Sequence, residues 1–173
     1  MTTHFYTATS LDGFIATPEH SLDWLLKQDF DEHGPMTYLE FIKGVGAIAM
    51  GSTTYEWMLD HDETWSYEQP TWVFTHRELP TPEGADVRFT QASIPAVHAE
   101  MTDTAGQRDL WVVGGGDLAG QFADAGLLDE VWLQYAPVTL GAGAPVLPRE
   151  LDLELLDFAR NRDFLCGHYR VIK

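Results

Sequence analysis

Two stretches of this chain combine residue types that handle phosphate. Leu110-Trp111-Val112-Val113 is an apolar, β-branched and aromatic run that breaks into Gly114, Gly115 and Gly116. Behind it, Leu118 to Ala125 carries apolar side chains at helical spacing. Strand, glycine turn and helix bring an anion close to backbone that lacks Cβ atoms, and the first free N–H groups and the helix dipole favour its charge. The same residues also suit a tight packing turn. Gly114, Gly116 and Gly120 are spaced G-x-G-x-x-x-G, one residue longer than the dinucleotide fingerprint. The second stretch repeats the arrangement. Val45 to Met50 is wholly apolar, Gly51-Ser52-Thr53-Thr54 follows at once, and Glu56 stands where a capping box would place it.

A few polar side chains could move or hold a proton. Asp23 precedes Trp24-Leu25-Leu26, where an apolar pocket would raise its pKa and make it a proton donor. Alternatively it is a first-turn carboxylate stabilising a helix N-terminus. Gln134 sits mid-run in an apolar strand and either faces a substrate or faces solvent. Asp12 belongs to an Asp-Gly turn and reads as structural, with a site-facing role as its second use. The seven histidines show no pair at metal-ligand spacing within one element, and Asp60-His61-Asp62-Glu63 reads as a solvated loop, so no metal is expected. No serine lies in a nucleophile elbow. Cys166, the single cysteine, excludes a disulfide framework and reads as a core or strand residue.

The elements that must position these groups alternate for most of the chain. Strands are expected at His4–Thr9, Val45–Met50, Thr71–Thr75, Asp86–Thr90 and Leu110–Val113. Helices are expected at Pro35–Lys43, after Gly51, at Ile94–Ala105 and after Gly116, with a short one near Asp23 that Ser21 would cap. Leu59–Gln69 reads as an acidic surface loop. Alternation of this kind predicts an α/β fold with a mainly parallel sheet. From Glu130 the character changes. Glu130–Val138, Leu151–Phe158 and Phe164–Ile172 are strands with no helix between them, so they should pair antiparallel, and Arg160–Asp163 should make the last turn. Gly141 to Pro148 is a Gly/Pro-rich loop that closes over a site or simply widens a hairpin.

At 173 residues and 45% hydrophobic, the chain is expected to form one domain spanning 1–173. Its net charge is −17, from 27 acidic and 10 basic side chains. Nucleic acid and anionic membrane surfaces are therefore unsuitable partners, and any phosphate must be held by local amides and a few arginines. No leader and no spanning apolar stretch is evident, which predicts a soluble cytoplasmic protein.

Five motifs in order, Thr9-Ser10-Leu11-Asp12-Gly13-Phe14-Ile15-Ala16, Met50-Gly51-Ser52-Thr53-Thr54-Tyr55, Val73-Phe74-Thr75-His76-Arg77, Val112-Val113-Gly114-Gly115-Gly116 and Pro137-Val138-Thr139-Leu140-Gly141-Ala142-Gly143, resemble the dihydrofolate reductase-like superfamily. The resemblance is closest to the C-terminal reductase domain of the bifunctional riboflavin-pathway deaminase/reductase and its stand-alone relatives. It implies a three-layer α/β/α fold around a mixed, mostly parallel sheet with an antiparallel C-terminal hairpin. It further implies an NADPH-dependent reductase with a small-molecule substrate, and a homodimer. By that resemblance Gly51, Ser52, Thr53 and Thr54 face one side of the cofactor phosphates. Gly114, Gly115, Gly116, Asp117 and Leu118 face the other. Thr75, His76 and Arg77 match the family's adenosine 2′-phosphate position, with Arg88 a nearby substitute and a solvated surface arginine the alternative for Arg77. Ala8 and Ile15 match backbone positions that hold the nicotinamide carboxamide, and Asp23 and Gln134 are the catalytic candidates. The implied substrates are the ribosylamino-pyrimidine phosphate of riboflavin synthesis, then a dihydrofolate or other pterin. A nucleotide-binding module without turnover is the rival class.

Overall fold

Two parallel strands, Val45–Gly51 (β3) and Asp109–Gly114 (β6), run side by side with Ile48 opposite Trp111 and Ala49 opposite Val112. Their glycine-bearing ends therefore reach the same sheet edge. The computed structural model, which describes residues 1–173, places them inside an eight-stranded sheet. Its remaining strands are Thr3–Thr9 (β1), Thr71–Phe74 (β4), Val87–Thr90 (β5), Glu130–Tyr135 (β7), Leu153–Asn161 (β9) and Phe164–Val171 (β10). The order is β5-β4-β3-β6-β1-β7-β10-β9. Pairing is parallel from β5 through β7 and antiparallel at β7–β10 and β10–β9. A separate antiparallel pair joins Phe14–Ala16 (β2) to Ala144–Pro145 (β8).

The interior strands are apolar on both faces because helices cover both, as a parallel sheet requires. On one face Ile94–Ala105 (α4) and Gly116–Asp124 (α5) bury Val97, Met101, Leu118 and Phe122 against Phe5, Ala47, Leu110, Val112 and Val131. On the other, Ser52–His61 (α3) brings Tyr55 and Met58 onto Ile48, Met50, Val73 and Trp111, and Tyr38–Ile42 (α2) adds Phe41. Asp23–Leu26 (α1) sinks Trp24 beside Ala136, Phe164 and Cys166. Each fully buried side chain of this size is worth about 1.5–3 kcal/mol. The result is an α/β/α sandwich around a mixed sheet, whose mainly parallel part is what the alternation predicts and whose three layers are what the resemblance implies.

Local differences from the sequence expectation have physical causes. The helix expected over Pro35–Lys43 covers only Tyr38–Ile42. Upstream, Met36 takes a left-handed φ of 56°, and its carbonyl accepts the Tyr6 hydroxyl at 3.1 Å and the Gln134 amide at 3.2 Å. The stretch Leu59–Gln69 is not wholly a surface loop, because α3 runs to His61 and Trp65 and Tyr67 pack against the core. Arg160 and Asn161 stay in β9, leaving Arg162 and Asp163 as the turn. Ser21 does not cap α1, whose N-cap is Leu22, although the Ser21 hydroxyl accepts the Asp23 N–H at 3.2 Å. No helix is long and apolar enough to cross a membrane.

Candidate functional site

A cleft of about 600 Å³ opens where β3 and β6 hand over to α3 and α5. Ligands of open α/β sheets sit at this place, beyond the carboxyl ends of the strands. Gly51, Ser52, Thr53 and Thr54 line one side of it and Gly114, Gly115, Gly116, Asp117 and Leu118 the other. The N-caps are Gly51 and Gly115, and no side-chain hydrogen bond closes either helix. Glu56 accordingly makes no capping box. The unoccupied N–H groups at a helix start are the groups that bind anions, and two such starts face one cleft here.

The glycines do different work. A Cβ on Gly51 would lie 3.9 Å from the Gly114 carbonyl oxygen and the Gly115 nitrogen, with nothing closer, so the two junctions nearly touch across open space. A Cβ on Gly114 would stand 3.2 Å from the Thr54 hydroxyl. Gly116 is different, because its Cβ would overlap the carbonyl oxygens of Pro145 and Val146 and lie 2.7 Å from the Val146 carbonyl carbon. Gly120 leaves room for Arg149, whose Cγ is 2.9 Å from where a Cβ would be. The irregular spacing of the glycine run thus mixes two demands: an open approach at Gly51, Gly114 and Gly115, and close packing at Gly116 and Gly120.

Arg149 lies flat over α5 and donates to Asp117 at 3.0 Å and Asp124 at 2.8 Å. Hydrogen bonds from Gln121 and then Arg149 hold the Asp117 carboxyl below its ordinary pKa. Asp117 is thus an anion at a helix start, with Arg149 offsetting its charge.

At the end of β4, Phe74 lines the cleft and Thr75 is buried, its hydroxyl accepting the Arg77 N–H at 3.0 Å. His76 is exposed, and its Nδ1 is 3.0 Å from the Gln91 side-chain oxygen. Arg77 lies outside the cleft wall. Its guanidinium forks onto Glu56 at 2.8 and 2.6 Å, so the cation stands one helical turn above Thr53 with its charge already met. Arg88, the substitute, is committed to Asp86 and lies over the Trp72 ring.

Ile15 lines the cleft from β2, while Ala8 is half-buried on β1 opposite Gln134 and outside the lining. The strip that carries Ile15 is tied down by Asp12, whose carboxylate accepts the Ser10 hydroxyl at 2.6 Å, the Leu140 N–H at 3.0 Å and the Gly141 N–H at 2.7 Å. The Ser10 hydrogen bond first, then the Leu140 amide, depress its pKa from 3.8 to about 2. The β1–β2 turn and the Thr139–Gly143 loop are thereby latched together beside the cleft, with Val146 N–H donating to the Gly13 carbonyl at 2.9 Å. A depressed carboxylate pKa contributes stability above the unfolded value that fades as pH falls through the folded one. Asp12→Asn should therefore flatten the acid limb of the stability profile between about pH 4 and pH 2. Denaturation midpoints measured across that range check it.

Two expectations need correction. The Asp23 side chain is exposed at the start of α1 and outside the cleft, so no apolar pocket surrounds its carboxyl; Trp24 is the residue that turns inward. This favours the first-turn reading of Asp23. Gln134 is neither solvent-facing nor in the cleft, because it is buried with its amide donated to the Met36 carbonyl. The lining instead includes Thr7, His20, Trp57 and Tyr67. Burial pushes the Tyr67 phenol up, which keeps it protonated as a hydrogen-bond donor. Alternation along β1 would have drawn attention to Thr7, whereas Tyr67 sits in an acidic run that gives no sign of burial. No group of three or more His, Cys, Asp or Glu side chains is arranged to hold a metal ion.

The comparisons agree with the fold. Residues 50–166 match the family described as the RibD C-terminal domain. The protein YwjB of Bacillus subtilis (strain 168) is 31% identical over 145 residues, 83% of this chain and 81% of its own length. A Shewanella sp. PV-4 protein named for riboflavin biosynthesis superposes with a TM-score of 0.85 at 25% identity, over 100% of both chains. Dihydrofolate reductase from Enterococcus faecalis shares the fold, with a TM-score of 0.61 at 14% identity over 99% of this chain and 97% of that one. By its sequence and its architecture, the chain belongs to the RibD C-terminal domain family and has a dihydrofolate reductase-like fold.

Proposed function

We propose that this chain is an NADPH-dependent reductase that passes hydride to a small heterocyclic metabolite, of the 5-amino-6-(5-phosphoribosylamino)uracil reductase type. The observation that carries the reading is the meeting of two uncapped helix N-termini across Gly51, Gly114 and Gly115 in one cleft. A pyrophosphate fits there, since Ser52, Thr53 and Thr54 on one side and Gly116, Asp117 and Leu118 on the other offer backbone N–H groups. The first turn of α3 also has no acidic residue. The bound dinucleotide would supply the hydride. Ile15, Phe74, Trp57 and Met58 give the cleft apolar walls, and Thr7, His20 and Tyr67 place polar groups along it for a substrate.

Consumption of NADPH over a panel of phosphoribosylamino-pyrimidines and pterins tests the proposal. Turnover of one of them supports it. Tight NADPH binding with no turnover across the panel favours the second reading, a nucleotide-binding module. That reading draws on one specific observation: neither Asp23 nor Gln134 lies in the cleft.

Arg77 gives a cofactor-choice test. Its place beside α3 suits the adenosine 2′-phosphate, at the cost of the Glu56 pair. Arg77→Ala should weaken NADPH by about 10- to 100-fold and NADH by less than about twofold. Equal losses for the two would remove Arg77 from the 2′-phosphate role.

A further inference from the structure

We propose that a second cavity, at the opposite end of the parallel strands from the cleft, binds a small organic ammonium ion. It measures about 390 Å³ and shares no lining residue with the cleft. Val45 begins β3 there, Asp109 begins β6, and His4 is the second residue of β1. Trp132, His168 and Asp157 are partners in register across β7, β10 and β9, so Trp132 and Asp157 reach the cavity from one face of the sheet. Thr37, Glu40 and Phe41 line it from α2 and its N-cap.

Charge and hydrogen bonding select the guest. Glu40, Asp109 and Asp157 bring carboxylates to the lining, and no lysine or arginine belongs to it. Lys43 offsets Glu40 at 2.6 Å, and Arg108 reaches only the Val45 carbonyl at 3.5 Å, which leaves Asp109 and Asp157 without a basic partner. His4 adds no charge. The Trp132 indole N–H, which can only donate, is 3.2 Å from its Nδ1, so the ring proton sits on Nε2, 3.4 Å from the Asp109 carboxylate. Glu130, 3.4 Å from the same Nδ1, is held by His168 at 2.7 Å. Thr37 supplies an independent sign of a guest. As the N-cap of α2 its hydroxyl would ordinarily accept a helix N–H, yet it makes no cap bond. The residue is 6% exposed, and its hydroxyl has no partner elsewhere in the protein. A buried hydroxyl in that state is costly unless a bound group satisfies it. An ammonium group finds acceptors in Asp109, Asp157 and the free Thr37 oxygen, while Phe41 and Trp132 give aromatic surface to the cation and its carbon body. A metal ion does not fit, because no three His, Cys, Asp or Glu side chains converge to ligate it.

NMR titration of the ¹⁵N-labelled full chain with phenethylammonium to about 10 mM, in about 0.15 M salt, tests the proposal. Of the six tryptophan indole resonances, the one lost in Trp132→Phe should shift saturably, with a dissociation constant of about 1 mM or tighter. The resonance of Trp57, which lines the cleft, should stay in place. Phenethyl alcohol, the neutral analogue, should bind at least about tenfold more weakly. Thr37→Val, which keeps the shape and removes the hydroxyl, should weaken the ammonium about fivefold, and Asp109→Asn about tenfold. Glu83→Gln, at an exposed carboxylate outside the lining, should change nothing. No saturable shift at Trp132, a shift centred on Trp57, equal binding of the alcohol, or affinity unchanged in both T37V and D109N would each overturn the proposal.

Discussion

Gly116→Ala is expected to destabilise the protein by about 3 kcal/mol, lowering the thermal midpoint by roughly 6–12 °C. The added methyl would overlap the carbonyl oxygens of Pro145 and Val146, which are backbone and cannot rotate away. Relief requires β8 to lift from α5, which also loosens its pairing with β2 and the Val146 hydrogen bond to Gly13. The same methyl at Gly51 meets only ordinary contacts at 3.9 Å, and the backbone there is extended with φ −82° and ψ 164°. Gly51→Ala should stay within about 1 kcal/mol of the parent, the small N-cap preference for glycine being partly offset by the stiffer unfolded chain. Differential scanning calorimetry of the two variants separates the packing glycine from the open one. Equal midpoints for both would refute the assignment.

Gly51→Val is expected to fold normally and to lose dinucleotide affinity by about a hundred-fold. Valine is comfortable in extended backbone. Its branched methyls, however, would fill the gap in which Gly51 faces the Gly114 carbonyl oxygen and the Gly115 nitrogen. A pyrophosphate held by both helix starts must pass through that gap. Calorimetric titration with NADPH checks the loss, and a thermal midpoint matching the parent shows that it is not a folding defect. Retention of parental affinity would place the phosphates elsewhere.

The contrast between Gly51 and Gly116 also shows what the sequence alone can carry. Both junctions are visible in it, because an apolar strand run, small residues and helical spacing are local signals. The use of Gly116 is not, since its neighbours Pro145 and Val146 lie about thirty residues away and approach only once β8 pairs with β2. Glu56 misleads for a related reason. It has capping-box spacing, but Arg77, brought alongside by β4, offers a bidentate partner that the helix start cannot match. Gln134 reads as a polar intrusion into an apolar strand, and the intrusion is real, but its partner is the carbonyl of Met36 in an irregular segment before α2. For Asp23 the apolar neighbours suggested a pocket around its carboxyl, but only Trp24 turns inward, Leu26 is exposed, and the Asp23 side chain is exposed. The mainly parallel pairing and the antiparallel end were legible because each follows from whether a helix intervenes between strands, whereas the strand order β5-β4-β3-β6-β1-β7-β10-β9 was not. The polar lining of the cleft was not, because Thr7, His20 and Tyr67 come from three separate segments.

Acidity adds a constraint on the site. With a net charge of −17 on the chain, any dinucleotide would meet an unfavourable field, and the two helix starts are the local groups left to offset it, because Arg77 is paired with Glu56 and Arg149 with Asp117 and Asp124. Added salt screens that field within about 10 Å, so the penalty falls as ionic strength rises.

The most direct measurement is a calorimetric titration of the full chain with NADPH, and with NADH alongside it. Saturable binding of one NADPH per chain, tighter than NADH and lost in Gly51→Val, is the result expected from two helix N-termini sharing one cleft. Absence of binding by either dinucleotide would contradict the account.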